Sequence, residues 1–276
     1  MKLPALVITP HSSFQVPAEV LAEMLGERFY DSLARQARLD WLFREGDHHT
    51  EVLFHTPEAH PLQAPFSRFV VDLNRDREEA GANGVIKLTD FEGRPLYPSG
   101  FALDAQKREE RLRRYWDSFH AEIERMLRTH AIRLLVNGHS MQPTGPAIGP
   151  DAGKPRPGIC LMAGTDAQGD PVASHSSLPK RVAREVLGLA QRHFAPVLRG
   201  QPTEAITLGE PWKSDQISQR YSDPARPRPV WGFGLEFNRA LYLRYEDDQE
   251  RPNDAMIRDL NAAFREFLAE LMERLA

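Results

Sequence analysis

Ile132-Arg133-Leu134-Leu135-Val136-Asn137-Gly138-His139-Ser140-Met141 is the stretch on which the fold turns. Leu134, Leu135 and Val136 form an unbroken apolar run, as a strand covered on both faces requires. Asn137-Gly138 is a turn signal, so the strand is expected to stop there. His139 and Ser140 then fall just past a strand's carboxyl end, where open α/β sheets hold their ligands.

Two other stretches follow the same plan. Upstream, Ala5-Leu6-Val7-Ile8 reads as a first buried strand, ended by Thr9-Pro10 and followed at once by His11-Ser12-Ser13. Downstream, Val230 to Arg239 reads as the last strand, with Glu236 between Leu235 and Phe237. A lone glutamate in such a run is unfavourable unless it is paired, hydrogen-bonded or near a metal, and such surroundings tune a carboxylate for acid/base work. Ser67 to Asp76 reads as a strand with a polar exit, Gly158 to Gly164 as a short strand, and Ala205 to Leu208 as another.

Helices are expected between these strands. Pro17 to Leu25 is closed by Gly26, and Arg28 to Phe43 continues with Phe29, Leu33 and Ala37 on one face. Leu103 to Thr129 is the clearest helix, with Tyr115, Phe119, Ile123 and Met126 at helical spacing; His120 within it reads as structural. Leu178 to His193 is another. Asn253 to Ala276 closes the chain with Ile257, Leu260, Phe264, Leu268 and Leu271 toward the core. Pro57 to Pro65, Pro143 to Pro157 and Pro224 to Pro229 are proline-rich loops or turns, the second a candidate active-site loop because it follows His139. Strands alternating with helices give an α/β fold: a mixed sheet with helices on both faces.

The 276 residues are 41% hydrophobic and 27% charged, which allows a normal globular core. A net charge of -4 gives no whole-protein signal for nucleic acid or an anionic membrane. The single cysteine, Cys160, precludes a disulfide within the chain, in keeping with a reducing compartment. The start is broken too early by proline for a signal peptide, and no run approaches the roughly 20 apolar residues of a membrane span. A soluble cytoplasmic protein is expected.

The residues suited to one divalent metal are His11, His139 and a carboxylate from Gly46-Asp47-His48-His49-Thr50-Glu51, where Asp47 and Glu51 are four apart. A His/carboxylate/His set with an open fourth position is a catalytic zinc arrangement. Glu236 is the candidate to take a proton from water and hand it to a leaving amine. Arg75, Arg220 and Arg239 are candidates to hold an acidic substrate through the planar guanidinium fork. A serine hydrolase is disfavoured, because Ser140 has no Gly-x-Ser-x-Gly elbow around it. Cys160 lies in an apolar strand, where a thiol is inert packing.

These pieces, in order, resemble the N-formylglutamate amidohydrolase (N-formylglutamate deformylase) family. Thr9-Pro10-His11-Ser12 is similar to its early Pro-His-Ser motif, and Phe69-Val70-Val71-Asp72-Leu73-Asn74-Arg75 to its Val-Asp-Leu-Asn-Arg motif. Gly138-His139-Ser140-Met141 resembles Asp-x-His-Ser-Met, Gly164-Thr165-Asp166 a Gly-x-x-Asp-Gly turn, and Leu235 to Tyr242 the closing Glu-hydrophobic-Asn-Arg-x-x-Tyr motif. The resemblance covers roughly residues 5 to 245. It implies a phosphorylase/hydrolase-like three-layer α/β fold with a central mixed sheet, similar to zinc carboxypeptidases, in one domain over 1–276. It implies one zinc ion per chain and hydrolysis of the amide of a small N-acyl, possibly N-formyl, acidic amino acid. Carried over by motif, His11 and His139 are zinc ligands, Asp47 is the first choice for the third and Glu51 the second. Glu236 is the general base, Arg75 binds substrate or stabilises charge, and Asn74, Ser140, Arg220 and Arg239 complete the substrate set. The segment around Asp47 matches the family's Asp-Thr-Asp-Trp-His poorly, and Gly138 stands where an acidic residue before the histidine is usual. The alternative is a non-catalytic small-molecule binding or regulatory protein on the same scaffold. Oligomeric state is left open.

Overall fold

A computed structural model describes residues 2–172, 176–225, 229–246 and 249–275. Six strands form the central sheet: β1 (Ala5–Thr9), β2 (His60–Gln63), β3 (Leu134–Met141), β4 (Ile159–Met162), β5 (Ile206–Leu208) and β6 (Trp231–Asn238). Their order is β2-β1-β3-β6-β4-β5. The first four in that order are mutually parallel; β4 runs antiparallel to β6 and parallel to β5. A two-stranded antiparallel ribbon, β7 (Leu243–Glu246) and β8 (Gln249–Pro252), follows β6. The fold is α/β with a mixed sheet flanked by helices.

Side chains alternate across the central strands and divide the core in two. Ala5, Val7, Leu134, Val136, Leu235 and Phe237 pack on one face. There they meet α6 (Lys180–Leu198) and α8 (Asp254–Arg274), which present Val186, Phe194, Leu260, Phe264 and Leu268. Leu6, Ile8 and Leu135 point to the other face. That face is covered by α1 (Ala18–Leu25), α2 (Ser32–Glu45) and a long helix built from α4 (Ala105–Arg111), one wide turn at Leu112–Asp117, and α5 (Ser118–Thr129). Of two short helices, α3 (Thr50–Leu53) packs on α8 and β3, and α7 (Gln216–Tyr221) packs on β3 and β6. Among the described residues no helix is long and apolar enough to cross a membrane.

Four sequence expectations fail for physical reasons. The strand holding His139 does not stop at Asn137-Gly138. It pairs with β6 from Leu134↔Trp231 through Met141↔Asn238, so a turn signal yields to eight residues of ladder. A Cβ at residue 138 would lie 2.6 Å from the Phe54 ring, so glycine is there for close approach. In the motif Asp-x-His-Ser-Met the acidic position falls two residues before His139, at Asn137, and Gly138 stands at the unspecified position.

Ser67 to Asp76 is not a strand either. Its backbone closes on itself through Val70 N–H to Ser67 C=O and Arg75 N–H to Asp72 C=O, and the Asp72 side chain accepts from the Asn74 N–H. The segment 28–43 breaks at Asp31, whose side chain caps α2 by accepting from the Leu33 N–H. That leaves Leu33 79% exposed rather than on a buried face. The proline-rich 57–65 segment contains β2 after all; it is an edge strand, where Pro61 needs to donate nothing outward. The expected turn at 224–229 falls partly on 226–228, outside the described residues, as does residue 276 of the closing helix.

Candidate active site

β1, β3 and β6 deliver the chemistry to one place. His11 follows the end of β1, and His139 lies near the end of β3. Glu236 is the register partner of His139 on β6, so both side chains leave the sheet on the same face. Asp47 arrives from the turn after α2. His11, Asp47 and His139 are all buried, and one ligand atom from each lies within 4.8 Å of the others. His11 Nδ1 stands 3.4 Å and His139 Nδ1 3.1 Å from Asp47 Oδ2. Glu51, on α3, is not part of this group.

The surroundings orient these donors. Asp72 Oδ1 lies 2.8 Å from His11 Nε2, Arg68 donates to Asp72 Oδ2 at 2.8 Å, and Lys87 Nζ is 3.0 Å from the same oxygen. Burial would raise the Asp72 carboxyl pKa, but Arg68, Lys87 and His11 outweigh it and hold the group well below the usual range. An ionised Asp72 takes the Nε2–H of His11 and fixes its tautomer. The lone pair of His11 Nδ1 is then left facing Asp47, without a hydrogen-bond partner. Burial also pushes against the charge of Asp47, yet protons shared with it by His11 and His139, together with the Arg68 guanidinium, hold its carboxyl well below the ordinary value, and a metal ion can take the place of those protons. Two electron-rich atoms, buried and turned on each other, fit a bound cation. His139 Nε2 meets the Asn74 amide at 3.3 Å. Asn74 is itself fixed, accepting from the Ile217 N–H and from Asn137. The Asn74 amide nitrogen therefore donates to His139 Nε2, and His139 Nδ1 faces Asp47.

Glu236 sits beside the group with Oε2 unpartnered. Burial pushes its carboxyl up to about 7, against the pull of His139. These residues line a cavity of about 370 Å³ together with Arg68, Asn74, Arg75, Ser140, Arg156, Trp212, Asp215 and Arg239. Its rim is drawn partly from the 143–157 loop, through Pro146, Ile148, Gly149 and Pro150. Arg75 is half exposed there and paired with Glu79 at 2.8 Å. Arg220 is not among the lining residues; its guanidinium lies over the Trp116 ring at 5.0 Å. Cys160 is fully buried, and burial pushes its thiol up to about 12, as inert packing requires.

Several site residues escape a linear reading. Arg68 bridges Asp47 (3.1 Å) and Asp72, and the four-residue spacing from Arg68 to Asp72 was the only local hint. Arg156, paired with Asp151 and lying over Trp212 at 4.3 Å, and Asp215, which accepts from Asn137 at 2.7 Å, carry no motif.

Behind Asn74 and Arg75 lies an aromatic stack. Trp116 donates to the Arg75 carbonyl at 3.1 Å and stacks on His120 at 3.6 Å; His120 bonds the Leu73 carbonyl and the Tyr221 hydroxyl. Burial pushes His120 down to about 4, only partly opposed by the Leu73 carbonyl. Unfolded histidine titrates near 6.5, so the unfolded chain alone binds this proton between about pH 6.5 and 4. Stability is expected to be intact above about 6.5 and to be lost as pH falls through that window, by up to about 3 kcal/mol. Urea unfolding of wild type and His120→Gln across this range checks it: the variant should show a shallower decline, and an equal slope would remove His120 from the effect.

Comparison with known proteins gives the family. The profile of the N-formylglutamate amidohydrolase family matches residues 3–243. An N-formylglutamate deformylase from Pseudomonas putida is 26% identical over 99% of this chain and 96% of its own length. Another from Pseudomonas aeruginosa is 28% identical over 99% and 93%. The crystal structure of an N-formylglutamate amidohydrolase from Ralstonia eutropha JMP134 shares the fold at a TM-score of 0.69 and 18% identity, covering 100% of this chain and 96% of that one. A gene product of Agrobacterium tumefaciens shares it at 0.54 and 16%, over 99% and 90%. With its sheet, its His/Asp/His group and a family match over most of its length, this chain belongs to the N-formylglutamate amidohydrolase family.

Proposed function

We propose that this protein is a zinc-dependent amidohydrolase that cleaves the amide of a small N-acyl acidic amino acid, with N-formylglutamate as the reference substrate. The observation that carries the reading is the placement of Glu236 beside the buried His11/Asp47/His139 group at the foot of one cavity. The relatives named as N-formylglutamate deformylases supply the substrate class. The expectation of a non-catalytic binding protein rested mainly on the poor match around Asp47, and Asp47 stands within the group.

His11, Asp47 and His139 would hold one zinc ion, which polarises a carbonyl and lowers the pKa of water toward about 7. Glu236 removes a proton from the attacking water and returns it to the leaving nitrogen, so that amide and water become a carboxylic acid and an amine. A carboxyl held near neutrality suits both halves of that transfer. Arg75, half exposed at the cavity wall, binds a substrate carboxylate by exchanging Glu79 for it. Asn74 and Ser140 offer further hydrogen bonds from the same wall.

The test is metal analysis of protein prepared without chelator, followed by formate release from N-formylglutamate. About one zinc per chain and chelator-sensitive release are expected. A metal-replete protein that turns over no N-acyl acidic amino acid would sink the reading.

A further inference from the structure

The closing motif Glu236-Phe237-Asn238-Arg239-Ala240-Leu241-Tyr242 puts an arginine near the cavity, and its residue type points to substrate. Its contacts point elsewhere. We propose that Arg239 is a positioning residue which, with Tyr242, clamps the segment carrying Asp47 and so sets metal affinity. The inference rests on the metal-site reading above.

Arg239 is only 4% exposed. Its Nε donates to Ser140 Oγ at 3.3 Å, Nη1 to the Arg44 carbonyl at 3.1 Å, and Nη2 to the Gly46 carbonyl. Each nitrogen has an acceptor from the chain itself, and among the described residues no carboxylate forms an ion pair with it. The two carbonyls belong to the end of α2, where the last C=O groups lack helical partners and the helix dipole is negative. A buried guanidinium answers both needs. Tyr242 is fully buried and donates its hydroxyl to the His48 carbonyl at 3.0 Å.

The carbonyls of residues 44, 46 and 48 are therefore each tied to the chain just after β6, and Asp47 lies among them. Asp47 Oδ2 in turn accepts from the Ser140 backbone N–H at 3.2 Å, and Ser140 is also a partner of Arg239. The clamp reaches back 193 residues from Arg239 to Gly46. It explains how a segment that fits the family pattern poorly still brings a carboxylate to the two histidines. The same motif holds the opposite wall: Asn238 donates to the carbonyls of Arg156 and Pro157 at 3.1 and 2.9 Å.

The experiment titrates zinc into wild type, Arg239→Ala and Tyr242→Phe against a chromophoric chelator, and measures amide hydrogen exchange over residues 44–50 of the metal-free proteins. Arg239→Ala should raise the zinc Kd by about 10–100-fold, the range for losing a group that orients a ligand. Exchange should speed up over 46–50 while β6 stays protected. Tyr242→Phe should do the same more weakly, by about 5-fold, the worth of one neutral hydrogen bond. Unchanged Kd and exchange in Arg239→Ala would overturn the clamp, and a raised KM with unchanged zinc affinity would return Arg239 to the substrate. If Arg239→Ala does not fold, Tyr242→Phe decides alone, and wild-type zinc affinity and exchange in it would overturn the proposal. Wild type that takes up no zinc would overturn the metal reading and the clamp together, whereas tight, equal binding by all three would overturn the clamp only.

Discussion

Glu236→Gln is expected to lower kcat by about 10²–10⁴-fold, the range a general acid/base contributes, while the protein keeps one zinc per chain. The substitution is close to isosteric and leaves the β3–β6 ladder untouched, because that ladder is made by backbone. It removes the carboxylate's charge and with it the ability to accept and return a proton. The same change should stabilise the metal-free protein. Burial lifts the folded-state pKa of Glu236 from 4.5 to about 7, so folding favours its protonated form. The stability this group contributes is present below about pH 4.5 and is lost as pH rises through about 7. Near neutral pH the neutral glutamine escapes that penalty, for a gain on the order of 1–3 kcal/mol. An inactive, metal-loaded and more stable variant separates catalysis from folding at one residue. Steady-state kinetics, elemental analysis and urea unfolding of the metal-free protein check all three. Turnover near the wild-type rate would remove Glu236 from the mechanism.

The second large effect is on metal retention. His139→Ala should lose zinc altogether at ordinary concentrations, a larger loss than the 10–100-fold expected for a group that merely orients a ligand. Removing the imidazole takes away a donor atom, and with it the group the Asn74 amide meets and one of the partners of Asp47. Asp47→Ala should behave alike, whereas Glu51→Ala should keep its metal, since Glu51 lies outside the donor group. Zinc-to-protein ratios after desalting read this directly. Full occupancy in His139→Ala, or loss in Glu51→Ala, would redraw the site.

The strands β1, β3 and β6 and the helices α5, α6 and α8 were legible because each is written in a continuous local pattern. Leu134-Leu135-Val136 reads as a buried strand wherever it lies, and Tyr115, Phe119, Ile123 and Met126 trace a helical stripe without outside help. Once β3 and β6 were recognised, His139 and Glu236 were marked by sitting in or beside them. The family motifs named His11, Asn74 and Arg75 for the same reason, as short runs of adjacent residues.

What tertiary structure alone decided is everything that depends on which distant segments meet. The sequence ranks Asp47 ahead of Glu51, but what brings Asp47 to the histidines is its contact with His139, 92 residues away, and the hold of Arg239, from beyond β6, on the neighbouring Gly46 carbonyl. The Asp72 support for His11 spans 61 residues and comes from a segment that reads locally as a strand and folds as turns. The continuation of β3 through Asn137-Gly138 was set by β6 alongside and Phe54 beneath, which together outweigh a turn preference. Local propensity amounts to fractions of a kcal/mol per residue, whereas ladder pairing, close packing and the pairing of buried charges each act on the scale of about 1 kcal/mol or more. In this protein the first writes the scaffold, and the second assembles the site.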